Sequence, residues 1–196
     1  MSFIHLKRKA MPYIPLATHL PGITGLLEYR RDTAAPIREL TQFLLRGPNS
    51  LTEAERELIA TIVSYGNECR FCTTAHATAA DALMGNSAVT EQIKIDHWQS
   101  TLSEKMKALL EIARLVRISG KAVTDNAIEL AKAAGASDLE IHDTVLIAAL
   151  FCLYNRYVDG LATSFPDDPS YFGQLADRLV NHGYHRLPQG YDHLKK

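Results

Sequence analysis

The chain contains no apolar run long enough to cross a bilayer. Its longest, Val145 to Tyr154, is ten residues, against the roughly 20 that a spanning helix requires. It has no excess of either charge: 21 basic residues face 22 acidic ones, which leaves no electrostatic footprint for nucleic acid or for an anionic membrane. Three cysteines in 196 residues do not make an extracellular disulfide framework. No segment alternates strictly enough to be a strand, and there is no internal repeat or low-complexity tract. No flavin, haem or nucleotide motif is present, so no bound cofactor is expected. The basic start, KRKAMPYIPLATHLPG, is interrupted by Pro12, Pro15 and Pro21 before a signal-peptide core could form. These absences predict a soluble, cytoplasmic protein with no nucleic-acid or membrane partner.

What remains is ordinary globular chemistry, 46% hydrophobic and 22% charged, with enough apolar material for a core. The reading is a single all-α bundle domain over residues 1–196. Residues 1–33, punctuated by prolines and Gly22, form an extended N-terminal arm that packs on its own core or on a neighbouring subunit. A core of about 34–161 follows. Pro36 leads into IRELTQFLLRG, whose Ile37, Leu40, Phe43 and Leu44 recur at helical spacing. Thr52 with Glu55 makes a capping box that opens a helix to about Tyr65. The next helix runs from about Glu68 to Met84; its alanine-rich middle suits the buried centre of a bundle. Shorter helices are expected over Thr90 to Trp98, after Ser103 and after Thr124. Ser137 with Glu140 forms a second capping box before a nearly continuous apolar helix to about Leu161. After a loop with Pro166 and Pro169, residues 169–196 hold a terminal helix, YFGQLADRLVNHG, and a polar tail with His185 and His193.

The chemistry concentrates in ELIATIVSYGNECRFCTTAH, Glu57 to His76. Cys69, Cys72 and His76 fall on one helical face at i, i+3 and i+7. Glu57 would lie roughly 18 Å from Cys69 on an unbroken helix, so the chain must turn between them. Gly66-Asn67 suits that turn, because both residues tolerate the left-handed conformation that ends a helix. Glu57 and His76 then stand about nine residues either side of it. In an antiparallel hairpin they come level, and a Glu57–His76–Cys72 relay becomes possible.

Two chemistries fit such a cluster. A cysteine pair beside an imidazole at a helix start suits redox work, since both features favour the thiolate; at ideal helical spacing the pair would need local distortion to bridge, which makes a reducible disulfide. The same residues supply ligands for zinc, with Glu57 or a distant histidine as the fourth, although zinc usually takes C-x-x-C from a tight knuckle. A third, inert reading has the cysteines filling small gaps in a helix interface.

The four positions Glu57, Cys69, Cys72 and His76 resemble the E-x11-C-x-x-C-x-x-x-H signature of the alkyl hydroperoxidase D branch of the carboxymuconolactone decarboxylase family. The surrounding LTEAERELIATIVSYGNECRFC, with FLLRGPNSL before it, is similar to the peroxidase-related subgroup, and the likeness extends loosely from about Pro21 to Leu161. The resemblance implies an all-helical fold, an organic hydroperoxide substrate, an external dithiol or redoxin reductant such as a lipoyl-type one, and a homo-oligomer such as a trimer or hexamer. By motif position Cys72 is the peroxidatic cysteine, Cys69 the resolving one, and His76 with Glu57 the proton relay; no metal is implied. A general dithiol oxidoreductase or redox sensor and a non-catalytic helical interaction module are the alternatives. Outside the motif, Cys152 reads as a small core residue. Asn155 and Asp159 are candidates to line the pocket, and Tyr65 to close over the cysteines.

Overall fold

The computed structural model describes residues 11–191, and among them the secondary structure is helical, with no strand. In chain order the helices are α1 (Ile23–Tyr29), α2 (Arg31–Arg46), α3 (Glu53–Gly66), α4 (Arg70–Met84), α5 (Ala88–Asp96), α6 (Glu104–Ile118), α7 (Asp125–Ala133), α8 (Asp138–Gly160) and α9 (Tyr171–His182). No helix among the described residues is long and apolar enough to cross a membrane. The expected all-α class is the one observed.

Local signals set most boundaries. The Thr52–Glu55 and Ser137–Glu140 capping boxes are both formed, the Ser103 and Thr124 side chains cap α6 and α7, and Gly85 closes α4 in the left-handed conformation. Two expectations fail. The arm is not extended throughout: residues 23–29 form α1, which buries Leu26 and Leu27. A residue with a β-carbon could not easily replace Gly22 there, because its φ is +59° and the Phe71 ring lies against the space a β-carbon would fill. Helix α2 begins five residues before Pro36 and runs through it, and its inner face differs from the sequence reading. Ala34, Arg38, Thr41, Leu44 and Leu45 are buried, whereas Leu40 is exposed and Phe43 is 69% exposed. Two polar side chains took the inward positions because long-range partners await them, and apolar periodicity does not register such partners. His193 lies outside the described residues.

The helix enclosed on all sides is α3, not the cysteine helix. Arg56 through Ser64 are all buried, and α3 packs on α2, α4, α5, α6 and α8. Buried Arg56 donates to the carbonyls of Leu44 and Gly47, both at 3.0 Å, and so ties the α2–α3 loop down. Helix α4 lies between α3 and α9. Its Phe71, Cys72, Ala75 and Ala79 belong to a second apolar cluster with Cys69, Leu26, Leu175 and Leu179, apart from the main α3–α6–α8 core. The cysteines therefore sit at the seam between the central helix pair and the C-terminal helix.

Candidate active site

The α3–α4 turn does what the spacing requires, by a different residue. Glu68, not Gly66 or Asn67, takes the left-handed conformation at φ +60°, and Cys69 N–H donates to the Ser64 carbonyl at 3.0 Å. Gly66 serves a close approach: a β-carbon there would meet the Arg117 side chain, whose Nη1 donates to the Gly66 carbonyl at 2.7 Å.

Beyond the turn the two helices run antiparallel, and the Glu57 carboxylate meets the His76 ring with 2.6 Å between Oε2 and Nδ1. Glu57 is fully buried and heavily partnered. Its Oε1 accepts from Arg46 Nη2 at 2.6 Å and from the Tyr184 hydroxyl at 2.5 Å, and the Arg46 guanidinium lies over the Tyr184 ring. Burial alone would raise the carboxyl's pKa, but His76, Arg46 and Tyr184 outweigh it and hold Glu57 below its usual range. Tyr184 moves the other way, pushed well up by burial and by the adjacent carboxylate, so it remains a donor. An ionised carboxylate can only accept, and Nδ1 therefore carries the imidazole proton. Nε2, on the other side of the ring, has no hydrogen-bond partner among the described residues. The ring packs edge-on to Phe151.

Cys69 is the N-cap of α4, with extended backbone (φ −77°, ψ 93°), and Cys72 lies in the first turn. The sequence expectation that ideal helical geometry keeps the pair apart is thus revised: Cys69 stands outside the helix as its N-cap, so the i, i+3 spacing of an ideal helix does not apply to the pair. Both are free and buried, at 0% and 2% exposure. The hydrogen bond to Cys69, reinforced by burial, pushes the Cys72 thiol well above the ordinary cysteine range, against the opposing pull of a hydrogen bond with Asn155. Asn155 is itself fixed by Asn67, which donates to it at 2.8 Å, and by its own donation to Ser64 at 3.0 Å. Burial raises the Asp159 carboxyl's pKa, against an opposing pull from the Cys69 thiol.

Cys72 and His76 line one cavity of about 60 Å³, walled mainly by apolar side chains of α1, α4, α8 and α9. At roughly 10–15 Å³ of such volume per water, it admits a few waters or a peroxide group. No hydrogen bond joins His76 to Cys72; the direct contact expected from i, i+4 spacing is replaced by this shared space. Neither Asn155 nor Asp159 lines this cavity; they act on the cysteines electrostatically, Asn155 on Cys72 and Asp159 in exchange with Cys69. Tyr65 does not close over the cysteines: it is half-exposed and lines a different depression with His97 and Arg117. Cys152 is half-buried rather than core, with Asn67 Nδ2 at 3.6 Å from its sulfur. Arg46 and Tyr184 carried no site signal in the sequence. The only trace of Arg46 is its place in FLLRG, 11 residues before Glu57, where the motif begins. Among the described residues, no three His, Cys, Asp or Glu side chains converge as metal ligands would.

Comparison with known proteins agrees with this architecture. The chain is similar to an uncharacterized peroxidase-related protein from Silicibacter sp. TM1040 (TM-score 0.71, 23% identity, 79% of this chain and 80% of that one). It is equally similar to an uncharacterized peroxidase-related protein with an alkylhydroperoxidase AhpD core from Ralstonia eutropha JMP134 (0.71, 23%, 80% and 80%). A protein of unknown function from Agrobacterium tumefaciens, described as a candidate AhpD antioxidant-defence protein, follows (0.64, 21%, 73% and 97%). No curated protein matches. Residues 31–95, which carry Arg46, Glu57, both motif cysteines and His76, match the carboxymuconolactone decarboxylase family, and the chain has the fold of these AhpD-like and peroxidase-related proteins.

Proposed function

We propose that the protein is a thiol-dependent peroxidase that reduces organic hydroperoxides through a Cys72/Cys69 dithiol–disulfide cycle. The observation that carries this reading is the buried Glu57–His76 hydrogen bond at 2.6 Å, which leaves an imidazole Nε2 free to act as a base in the cavity that Cys72 lines.

In the resting state Cys72 is a protonated thiol, held so by Cys69 and by burial. Reaction begins when a water or the hydroperoxide itself bridges Cys72 to His76 and passes the proton to Nε2. The Cys72 thiolate attacks the distal peroxide oxygen. The O–O bond breaks, His76 returns the proton to the departing alkoxide, and Cys72 becomes a sulfenic acid while the hydroperoxide leaves as an alcohol. Cys69 then attacks the sulfenic sulfur, water leaves, and the Cys69–Cys72 disulfide forms. Asp159, whose carboxyl pKa is raised by burial and which interacts with Cys69, takes that second proton. An external dithiol reduces the disulfide and returns both thiols. The burial of the pair favours a small peroxide as first reactant over a bulky protein disulfide, and favours a slender dithiol, such as a lipoyl arm, over a folded redoxin as reductant. The exposed apolar side chains Phe43 and Leu40 on α2 are compatible with a homo-oligomer, for which light scattering of the purified protein is the measurement.

Mass spectrometry after one equivalent of cumene hydroperoxide tests the cycle. A loss of two hydrogen atoms per chain, mapped to a Cys69–Cys72 bridge, is the expected result. An unmodified protein, or a bridge that involves Cys152, overturns it.

A further inference from the structure

The cavity that holds Cys72 and His76 is also lined by two arginines, Arg38 of α2 and Arg178 of α9. Both are buried, at 5% and 6% exposure. Their guanidiniums lie 5.4 and 4.9 Å from the centre of the same ring, that of Tyr191. Arg38 Nη1 donates to the Tyr191 hydroxyl at 3.0 Å, and Arg178 Nη2 donates to the His185 carbonyl at 2.8 Å. The Nε of each is buried without a hydrogen-bond partner among the described residues.

Charge is as incompletely matched as hydrogen bonding. Arg38 has one carboxylate, Glu28, at 3.2 Å. The same carboxylate also serves Arg31 at 3.1 Å and Arg186 at 2.8 Å. No carboxylate stands within ion-pair distance of Arg178 among the described residues. A guanidinium cannot escape burial by giving up its proton, so two buried cations with unfilled donors persist at a cost to the empty fold. That cost is recovered when an anion enters.

We propose that Arg38 and Arg178 form a carboxylate-binding subsite, and that the hydroperoxide this protein reduces bears a carboxylate. The substrate class rests on the peroxidase reading above; the binding of a carboxylate does not. Two unfilled Nε donors match a two-oxygen anion. The cavity at about 60 Å³ is too small for a whole hydroperoxy acid, so the Tyr191 ring must give way when the ligand enters, and the carbon skeleton then packs on the apolar wall from Leu27, Leu175 and Leu179.

The test uses matched ligands on the reduced full-length protein. By calorimetry, hexanoate binds at least about 10-fold more tightly than hexanamide, in line with charge-assisted hydrogen bonds to buried donors. This comparison needs no variant. 6-Hydroperoxyhexanoate forms the Cys69–Cys72 disulfide with a correspondingly higher kcat/KM than its methyl ester. In Arg178→Met and Arg38→Met, checked for folding by circular dichroism, both ratios fall towards one. Equal binding of hexanoate and hexanamide by the wild type, or ratios unchanged in both variants, overturns the subsite. If neither hydroperoxide forms a disulfide while hexanoate still binds through these arginines, the subsite stands and the peroxidase reading fails. If acid and ester react equally and hexanoate does not bind, the reverse holds.

Discussion

Replacing Glu57 by glutamine changes one atom's chemistry and leaves the side chain's volume almost unchanged. Three donors converge on the carboxylate: Arg46 and Tyr184 on one oxygen, His76 on the other. An amide offers one accepting oxygen and one donating nitrogen. The nitrogen cannot face the Arg46 guanidinium without opposing donor to donor, so the oxygen takes that side and the NH₂ faces His76. Nδ1 must then accept, the imidazole proton moves to Nε2, and the ring can no longer receive a proton from the cavity. The loss in rate is that of a general acid–base component, about 10²–10⁴-fold. Stability falls as well, since Arg46 is left with only Glu53, half-exposed and 3.4 Å away. The expected loss is about 3 kcal/mol, the low end for a broken buried pair. Because Glu57's folded pKa lies below the usual value of 4.5, its contribution is fully present above that value and is lost as pH falls through the folded one; the variant lacks that part of the acid loss. Rapid-quench mass spectrometry with cumene hydroperoxide reads the rate, and urea titration reads the stability. A folded Glu57→Gln protein that forms the disulfide at the wild-type rate refutes the tautomer argument.

The cysteines separate cleanly. Cys72→Ser abolishes the reaction, while Cys69→Ser reacts once and stops as a sulfenic acid on Cys72 that dimedone traps and excess peroxide carries to the sulfinic acid; a dimedone adduct on Cys69 in the Cys72→Ser protein, with none in the reverse variant, would reverse their roles. Glu140 supplies the acid-side test. Burial opposes ionisation there, but the Lys105 ammonium at 2.7 Å and the Ser137 and Ser50 donors hold its pKa at about 2. The stability this confers is complete above the usual value of 4.5 and disappears between there and about pH 2. Glu140→Gln should therefore flatten the acid limb of a stability–pH curve, and an unchanged limb counts against the assignment.

Helix ends and the motif were legible in the sequence because both rest on short-range geometry. Thr52 reaches Glu55 and Ser137 reaches Glu140 within one turn, and Cys72 and His76 share a face by spacing alone. The hairpin that levels Glu57 with His76 needed only a turn at the right count of residues. The periodic reading of α2 failed for a related reason. Its inward face is chosen by the buried polar contacts of Arg38 with Tyr191 and of Thr41 with Tyr154, across 153 and 113 residues of chain.

The amino-acid order by itself determined the helical class, most of the boundaries and the four residues of the motif, since each depends on neighbours within about a turn or across one hairpin. Tertiary structure alone decided what those residues face. It brought Arg46 and Tyr184 to Glu57, the second from 127 residues away, and so set the imidazole proton on Nδ1. It brought Asn155 and Asp159 into the electrostatic surroundings of the cysteines, and it buried two arginines in the cavity that Cys72 lines. None of these has a local signature, because a buried ion or hydrogen bond is satisfied by whichever partner the packing delivers, and the chain between the partners carries no record of it.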